Sequence, residues 1–378
     1  VIAIVLASLC LLLTGIPAAM IAWNLCCFRR LSTQVDDRPT PVSVLVPARD
    51  EAAGIAATLE RLLASEGVDL EVVVLDDDSQ DTTTAIVAGI AEKDSRLRIA
   101  PGDELPRDWN GKQFACWQLS KLARHDRLLF LDADVHVEPD AIARLSHCMD
   151  RRAGQPQSLA LLSGFPHQET VGWIETAIVP LMHFVLLGFL PIWRMQRVTD
   201  PAYAAGCGQM FMTDRQAYEL AGGHAAIARS RHDGIKLPRA YRQAELMTDV
   251  IDGTDLASVR MYRSGAEVFD GVIKNADEAL ARPALIVPVT LFCLAPLAAA
   301  IAMIGFAIAG AWIASAIAAF AFCIATLSRV ASVRRFRQPL ASAWLHPFAL
   351  VLFAGLQWIA LWRHSRGRRV AWRGRIES

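Results

Sequence analysis

The chain has 378 residues, an apolar fraction of 53%, a mean hydropathy of +0.31, and 38 acidic against 38 basic side chains. Such a length allows about two domains; the hydropathy is high for a purely water-soluble enzyme, and zero net charge gives no electrostatic footprint for nucleic acid. The eight cysteines form no C-x-x-C pair, which argues against zinc or redox motifs and fits reduced thiols.

In chain order, residues 1–23 carry no charge, and neither do 283–328 or, apart from His346, 338–362. A bilayer needs roughly 20 apolar residues per helix. These runs therefore predict an anchor helix over 1–28, two spans within 283–328 and a further membrane segment over 338–362. Arg29 and Arg30 follow the anchor, so the positive-inside rule puts the next residues in the cytoplasm. The reading is a multi-pass protein of the cell (inner) membrane with a cytoplasmic catalytic domain over 40–275.

After a polar linker over 31–41, VSVLVP (42–47) predicts a buried strand and a helix to Ala64. LEVVVLDDDSQDT (70–82) predicts a second strand ending in acid, followed by a helix, and LRIA (97–100) a third strand. Residues 104–123 form a loop running into a helix, and RLLFLDADVH (127–136) is a strand that ends in paired acids. A helix from Pro139 and a strand over 159–165 follow. Alternating strands and helices predict an α/β fold with a mostly parallel sheet. Residues 171–193 are apolar but interrupted by Glu175, Pro180, His183 and Pro191, which predicts an interfacial helix. A glycine-rich strand is expected at 204–213 and a short helix at 214–223.

The chemistry concentrates at strand ends, where open α/β sheets hold ligands. On extended backbone Asp132 and Asp134 would face the same way. Paired carboxylates repel unless a cation lies between them, and Mg²⁺ or Mn²⁺, completed by substrate phosphates, suits such oxygens. Asp76 and Asp77, at the end of the second strand, are placed to accept from base N–H groups or ribose hydroxyls, while Asp81 caps the next helix. No G-x-G-x-x-G follows the first strand, which disfavours a dehydrogenase-type dinucleotide fold.

P-A-R-D-E (47–51), L-D-D-D-S-Q-D (75–81) and D-A-D (132–134), in that order, resemble family-2 glycosyltransferases of the GT-A fold. The resemblance covers roughly 40–275. It implies that Pro47, Ala48, Arg49, Glu51, Asp76 and Asp77 cradle the nucleotide of a UDP- or GDP-sugar. It also implies that Asp132 contacts ribose, that Asp132 and Asp134 hold the cation, and that transfer inverts the anomeric centre. L-P-R-D-W-N-G-K (105–112) resembles a loop of the membrane-bound branch, which includes carotenoid- and hopanoid-associated and ceramide-type transferases, and puts Lys112 near the donor. In that family a base lies in an acidic pair after the glycine-rich strand. Asp233 matches it here, with His232 in place of the usual preceding acid. His232, Lys236, Arg239 and Arg260 are candidate accessory groups. The absence of Q-x-x-R-W argues against a processive synthase. Transfer of one hexosyl or N-acetylhexosaminyl unit to a membrane lipid or other hydrophobic acceptor is expected.

Two other readings stand beside it. D-A-D-V after an apolar strand also matches the nucleophile strand of haloacid-dehalogenase-like phosphatases, and His232 would suit a non-catalytic membrane scaffold that kept the fold. At the C-terminus, Arg329, Arg334, Arg335 and Arg337 precede the 338–362 segment and six arginines follow Trp362. Both sets favour the cytoplasm, which predicts a re-entrant or interfacial form for 338–362, broken at Pro347 or Gly355, ahead of a basic tail over 363–378.

Overall fold

The computed structural model describes residues 1–35, 41–153, 158–276, 278, 280–366, 371–372 and 375–376. Part of the 31–41 linker and much of the basic tail lie outside the described residues. The chain divides into two compact units.

The first unit comprises residues 28–167 and 192–261 and is built on one eight-stranded sheet. Its strands in chain order are β1 (Pro41–Ala48), β2 (Asp69–Asp76), β3 (Leu97–Pro101), β4 (Arg127–Leu131), β5 (Val135–Val137), β6 (Leu159–Gln168), β7 (Met210–Asp214) and β8 (Met247–Val259). They lie in the order β3-β2-β1-β4-β7-β6-β8-β5. Pairing of β1, β2, β3 and β4 is parallel, whereas β4/β7, β6/β7 and β5/β8 are antiparallel. The sheet is therefore mixed, where strand–helix alternation implied a mostly parallel one.

Alternation along each central strand feeds two cores. Val42, Val44, Val46, Val72, Val74, Leu129 and Leu131 join one, with Ile55, Leu59 and Leu62 of the helix Ile55–Leu63 and Ile142, Leu145 and Met149 of the helix Ala141–Arg152. Leu45, Val73, Leu75, Leu128 and Phe130 join the other. They pack with Ala115, Cys116 and Leu119 of the helix Gly111–Leu122 and with Leu237 and Tyr241 of the helix Asp233–Gln243. Fully burying each aliphatic side chain stabilises by roughly 1.5–3 kcal/mol, which is why uninterrupted apolar runs become central strands. One acid inside this frame is fully matched. Glu71 accepts from Ser43 Oγ at 2.5 Å, Arg98 Nε at 2.9 Å and Arg124 N at 2.9 Å.

Two expectations are corrected here, and one strand goes unannounced by the sequence. The D-A-D lies in a turn between β4 and β5, closed by Val135 N donating to Asp132 O at 3.1 Å. The glycine-rich stretch becomes strand only at Met210; before it, Gly206 and Gly208 leave room for side chains that cross the backbone. The strand β8 has no sequence forecast at all, because buried Thr248, Asp249, Asp252 and Thr254 interrupt its apolar pattern.

The second unit gathers residues 1–27, 168–191 and most of the chain after 261. Three of its helices, Ile2–Cys27, Ile286–Ile308 and Trp312–Arg335, are long and apolar enough to cross a bilayer. Small Ala7, Ala314 and Ala318 let two of them approach closely. Asn24 Nδ2 donates to the carbonyls of Leu187 at 2.8 Å and Leu190 at 2.6 Å, satisfying a polar group inside an apolar helix. Residues 171–193 break into Trp173–Ile178, Leu181–Phe189 and a turn from Ile192, with Pro180 and Pro191 at the breaks. The 338–362 segment forms a short helix, Ala341–Trp344, a bend at Leu345 beside Pro347, and then the helix His346–Ser365, which runs through Gly355 without interruption. Proline is tolerated at such a helix start.

Candidate active site

The parallel register Ala48↔Asp76 and Leu45↔Phe130 brings the ends of β1, β2 and β4 to one edge of the sheet. Loops 48–54 and 76–83 are stitched together there. Asp77 N donates to Ala48 O at 2.8 Å, Asp50 N to Ser79 Oγ at 3.0 Å, Gln80 N to Asp50 Oδ1 at 2.7 Å, Glu51 N to Thr83 Oγ1 at 2.8 Å and Ala52 N to Asp81 Oδ2 at 3.0 Å. Asp50 and Asp78 adopt φ of 52° and 59°, backbone that non-glycine residues seldom adopt outside functional loops. Arg49, 8% exposed, donates to the Asp77 carbonyl and lies 3.7 Å from its carboxylate. Asp76 Oδ2 accepts from Thr84 Oγ1 at 2.9 Å, while its buried Oδ1 has no hydrogen-bond partner among the described residues. An acceptor held out of water without a donor is costly, and a ligand hydroxyl or N–H would satisfy it.

The second cluster forms around Lys112. Asn110 caps its helix, accepting from Lys112 N at 3.1 Å and Gln113 N at 3.4 Å, and so fixes the origin of the lysine side chain. The Lys112 Nζ sits 2.6 Å from Asp132 Oδ1, 3.0 Å from Asp233 Oδ2 and 3.2 Å from the Gly208 carbonyl to which it donates. Asp233 opens the helix Asp233–Gln243, and its Oδ1 accepts from Gly234 N at 2.7 Å. A methyl group at Gly208 would fall inside the Asp233 carboxylate, so only glycine lets this acid reach Lys112. Gln209 contributes its carbonyl to Asp132 N at 3.1 Å.

Electrostatics follow from this crowding. Burial opposes charge on Lys112, yet Asp132 and Asp233 together hold the ammonium well above the ordinary lysine range. Burial likewise works to raise Asp233, but Lys112 outweighs it and holds the carboxyl below its usual value, with His232 helping. Burial pushes Asp132 up to about 6, against Lys112 and with Asp134 and Asp233 adding to the rise. Two carboxylates thus share one ammonium, with the Asp134 charge close to Asp132. Among the described residues no three His, Cys, Asp or Glu converge as a complete metal cage. Two carboxylates whose remaining ligands come from substrate phosphates and water are nonetheless the usual donor set for Mg²⁺ or Mn²⁺. The residues present fit such an ion.

The structure brings Pro47, Ala48, Arg49, Glu51, Asp76 and Asp77 to one part of this edge, and Lys112, Asp132, Asp134 and Asp233 to its neighbour. His232 stands beside Asp233, and Lys236 lies one turn further along the same helix, half-buried. The pairing Val135↔Val259 carries Arg260 alongside Asp134. Arg239, also half-buried, has an Nε without a hydrogen-bond partner among the described residues. Sequence reasoning missed Gly208 and Gln209. The G-C-G-Q run was the available signal, but a glycine's partner 25 positions away cannot be read from spacing.

Comparison with known proteins bears on the fold and on the family it resembles. A 4,4'-diaponeurosporenoate glycosyltransferase of Staphylococcus aureus (strain USA300) is 28% identical over 227 residues. That match takes in 59% of this chain and 57% of the relative, so the chain spans little more than half the length of the curated relative it matches. A mannosyltransferase from Pyrobaculum calidifontis, solved in complex with GDP-Man and Mn²⁺, shares the fold at a TM-score of 0.55 and 19% identity, over 93% of this chain and 98% of that one. The family model of Glycosyl transferase family 2 matches residues 43–156, the segment holding β1 to β5 and every acid of the two loops. Residues 43–156 therefore match the Glycosyl transferase family 2 model; they lie in a mixed α/β sheet, and the chain also carries N- and C-terminal helices long and apolar enough for a membrane.

Proposed function

We propose that the protein transfers a single sugar from a nucleoside diphosphate sugar to a hydrophobic, membrane-borne acceptor, with inversion, and that a divalent cation assists. The observation that carries this is the joining of Asp132 and Asp233 through one ammonium, at a place cleared by Gly208. It supports a donor diphosphate on one side of Lys112 and an acceptor hydroxyl or carboxyl on the other.

In this reading Asp76, with its unsatisfied oxygen, and Asp77, steadied by Arg49, receive the nucleoside. Asp132 and Asp134 would hold Mg²⁺ or Mn²⁺, which when bound neutralises charge on the departing diphosphate. Lys112 turns from the carboxylates towards the phosphates as the donor enters, and Asp233 is released from its ion pair. Buried and freed of the lysine that held its carboxyl down, Asp233 becomes the stronger base and takes the proton from the acceptor as the new glycosidic bond forms. His232 and Lys236 adjust the field around that carboxylate, and Arg260 steadies Asp134. The matched carotenoid-acid transferase and the three apolar helices favour an amphiphilic acceptor at a membrane, with the catalytic domain on the cytoplasmic side. The D-A-D-V phosphatase alternative leaves loops 48–54 and 76–83 without a task.

Membranes from expressing cells, incubated with labelled UDP- and GDP-sugars, should move one label into the organic phase. The Asp233→Asn variant should bind donor but leave the organic phase unlabelled. Phosphate release from simple monoesters, stopped by Asp132→Asn, would replace this reading with the phosphatase one.

A further inference from the structure

Arg329 lies within the apolar helix Trp312–Arg335 and is 1% exposed. Its Nη2 donates to Ser342 Oγ at 3.0 Å and its Nη1 to the Pro180 carbonyl at 3.5 Å. Its Nε has no hydrogen-bond partner, and no carboxylate pairs with it among the described residues. His346, 3% exposed, lies within electrostatic reach, and its Nδ1 is also without a partner among the described residues. Aromatic side chains wall the place. Phe184 meets His346 edge-on at 4.9 Å, and His183 stacks on Phe336 at 4.0 Å while joined to Gln338 at 3.1 Å.

A guanidinium removed from water without a counter-charge is strongly disfavoured, and an ionisable residue inside a membrane helix marks a ligand or ion path far more often than a packing accident. Ser342 and one carbonyl answer some of its hydrogens and none of its charge. Leu340, Trp344 and Phe348, flanking Ser342 and His346 in sequence, are 62%, 85% and 51% exposed. Apolar surface therefore adjoins the charged spot. We infer that Arg329 and His346 form a binding site for one anionic headgroup, carboxylate or phosphate, carried on an apolar chain. The headgroup accepts from Arg329 Nε and His346 Nδ1, and the chain lies along Leu340, Trp344 and Phe348. The site belongs wholly to the membrane unit and its occupancy does not depend on sugar transfer.

The test uses the full chain in an uncharged detergent without nucleotide sugar. Oleate, dioleoyl phosphatidic acid, oleyl alcohol, acetate and inorganic phosphate are each titrated while thermal midpoint and tryptophan fluorescence are followed. Oleate and phosphatidic acid should raise the midpoint saturably, and oleyl alcohol should not. Arg329→Gln should weaken oleate binding by about tenfold or more, as expected for loss of a charge-assisted hydrogen bond, with Arg329→Lys between. Should Arg329→Gln fail to fold, a diazirine-bearing fatty acid on the unaltered protein should label peptides spanning 180–184 or 340–348, displaced by oleate and not by oleyl alcohol. Equal effects of oleate and oleyl alcohol, full saturation by acetate or phosphate alone, unchanged oleate affinity in Arg329→Gln, or labelling elsewhere would each overturn the assignment. Sugar transfer is not read in any arm, so this failure is distinct from failure of the transferase reading.

Discussion

The parallel half of the catalytic sheet, β3-β2-β1-β4, and its antiparallel half, β7-β6-β8-β5, are held by different forces. In the parallel half, runs such as VSVLVP and LEVVVL bury both faces, and apart from Glu71 the acids stand at strand ends. In the antiparallel half, β8 buries acids that find partners far away in sequence. Asp252 pairs with Arg30 at 3.0 Å, and Asp249 with Arg152 at 2.6 Å and Gln196 at 3.0 Å. The first half is an apolar scaffold whose rim carries the linked loops 48–54 and 76–83. The second adds ion pairs and glycine clearances, and the chain between its strands supplies Asp233. The comparison teaches that one part of the candidate site depends on burial and the other on long-range contacts.

The largest expected effect falls on the second half. Asp233→Asn should lower turnover by about 10²–10⁴-fold, the range for loss of a general base, with donor affinity within a few-fold of the original. Gly208→Ala should give the same profile, because its methyl would displace the Asp233 carboxylate; equal loss of donor binding in either variant would break the division of labour. Leu45→Ala, in the first half, should cost about 2–5 kcal/mol in denaturant unfolding and leave the chemistry of whatever remains folded intact. Asp134→Ala should remove the part of donor binding that EDTA also removes, and unchanged EDTA sensitivity would detach the cation from that residue.

The smallest effect concerns pH. Burial works to raise Glu71, but Ser43, Arg124 and Arg98 together hold it below the usual glutamate range. A depressed carboxyl stabilises fully above the ordinary value, and that contribution is lost as pH falls through the folded one. Unfolding midpoints measured from pH 7 down to pH 3 should therefore slope less steeply in Glu71→Gln than in the parent.

The parallel half was legible because Leu45, Val73 and Leu128 sit in apolar runs whose period needs no distant partner. The acids at 76, 77, 132 and 134 were legible for the same reason, since strand ends mark the ligand edge. Their geometry was less so: a hydrogen bond from Val135 to Asp132 turns the D-A-D, and no periodicity announces a turn made of Ala133 and Asp134. The strand β8 was hidden because its acids are neutralised by residues about 100 or more positions away, a compensation that local pattern does not contain.

The bare backbone at position 208 binds two distant letters of the chain into a single inheritable unit. A bulkier residue there would leave the acid at 233 no room in its present place, so a change at either position bears on the other.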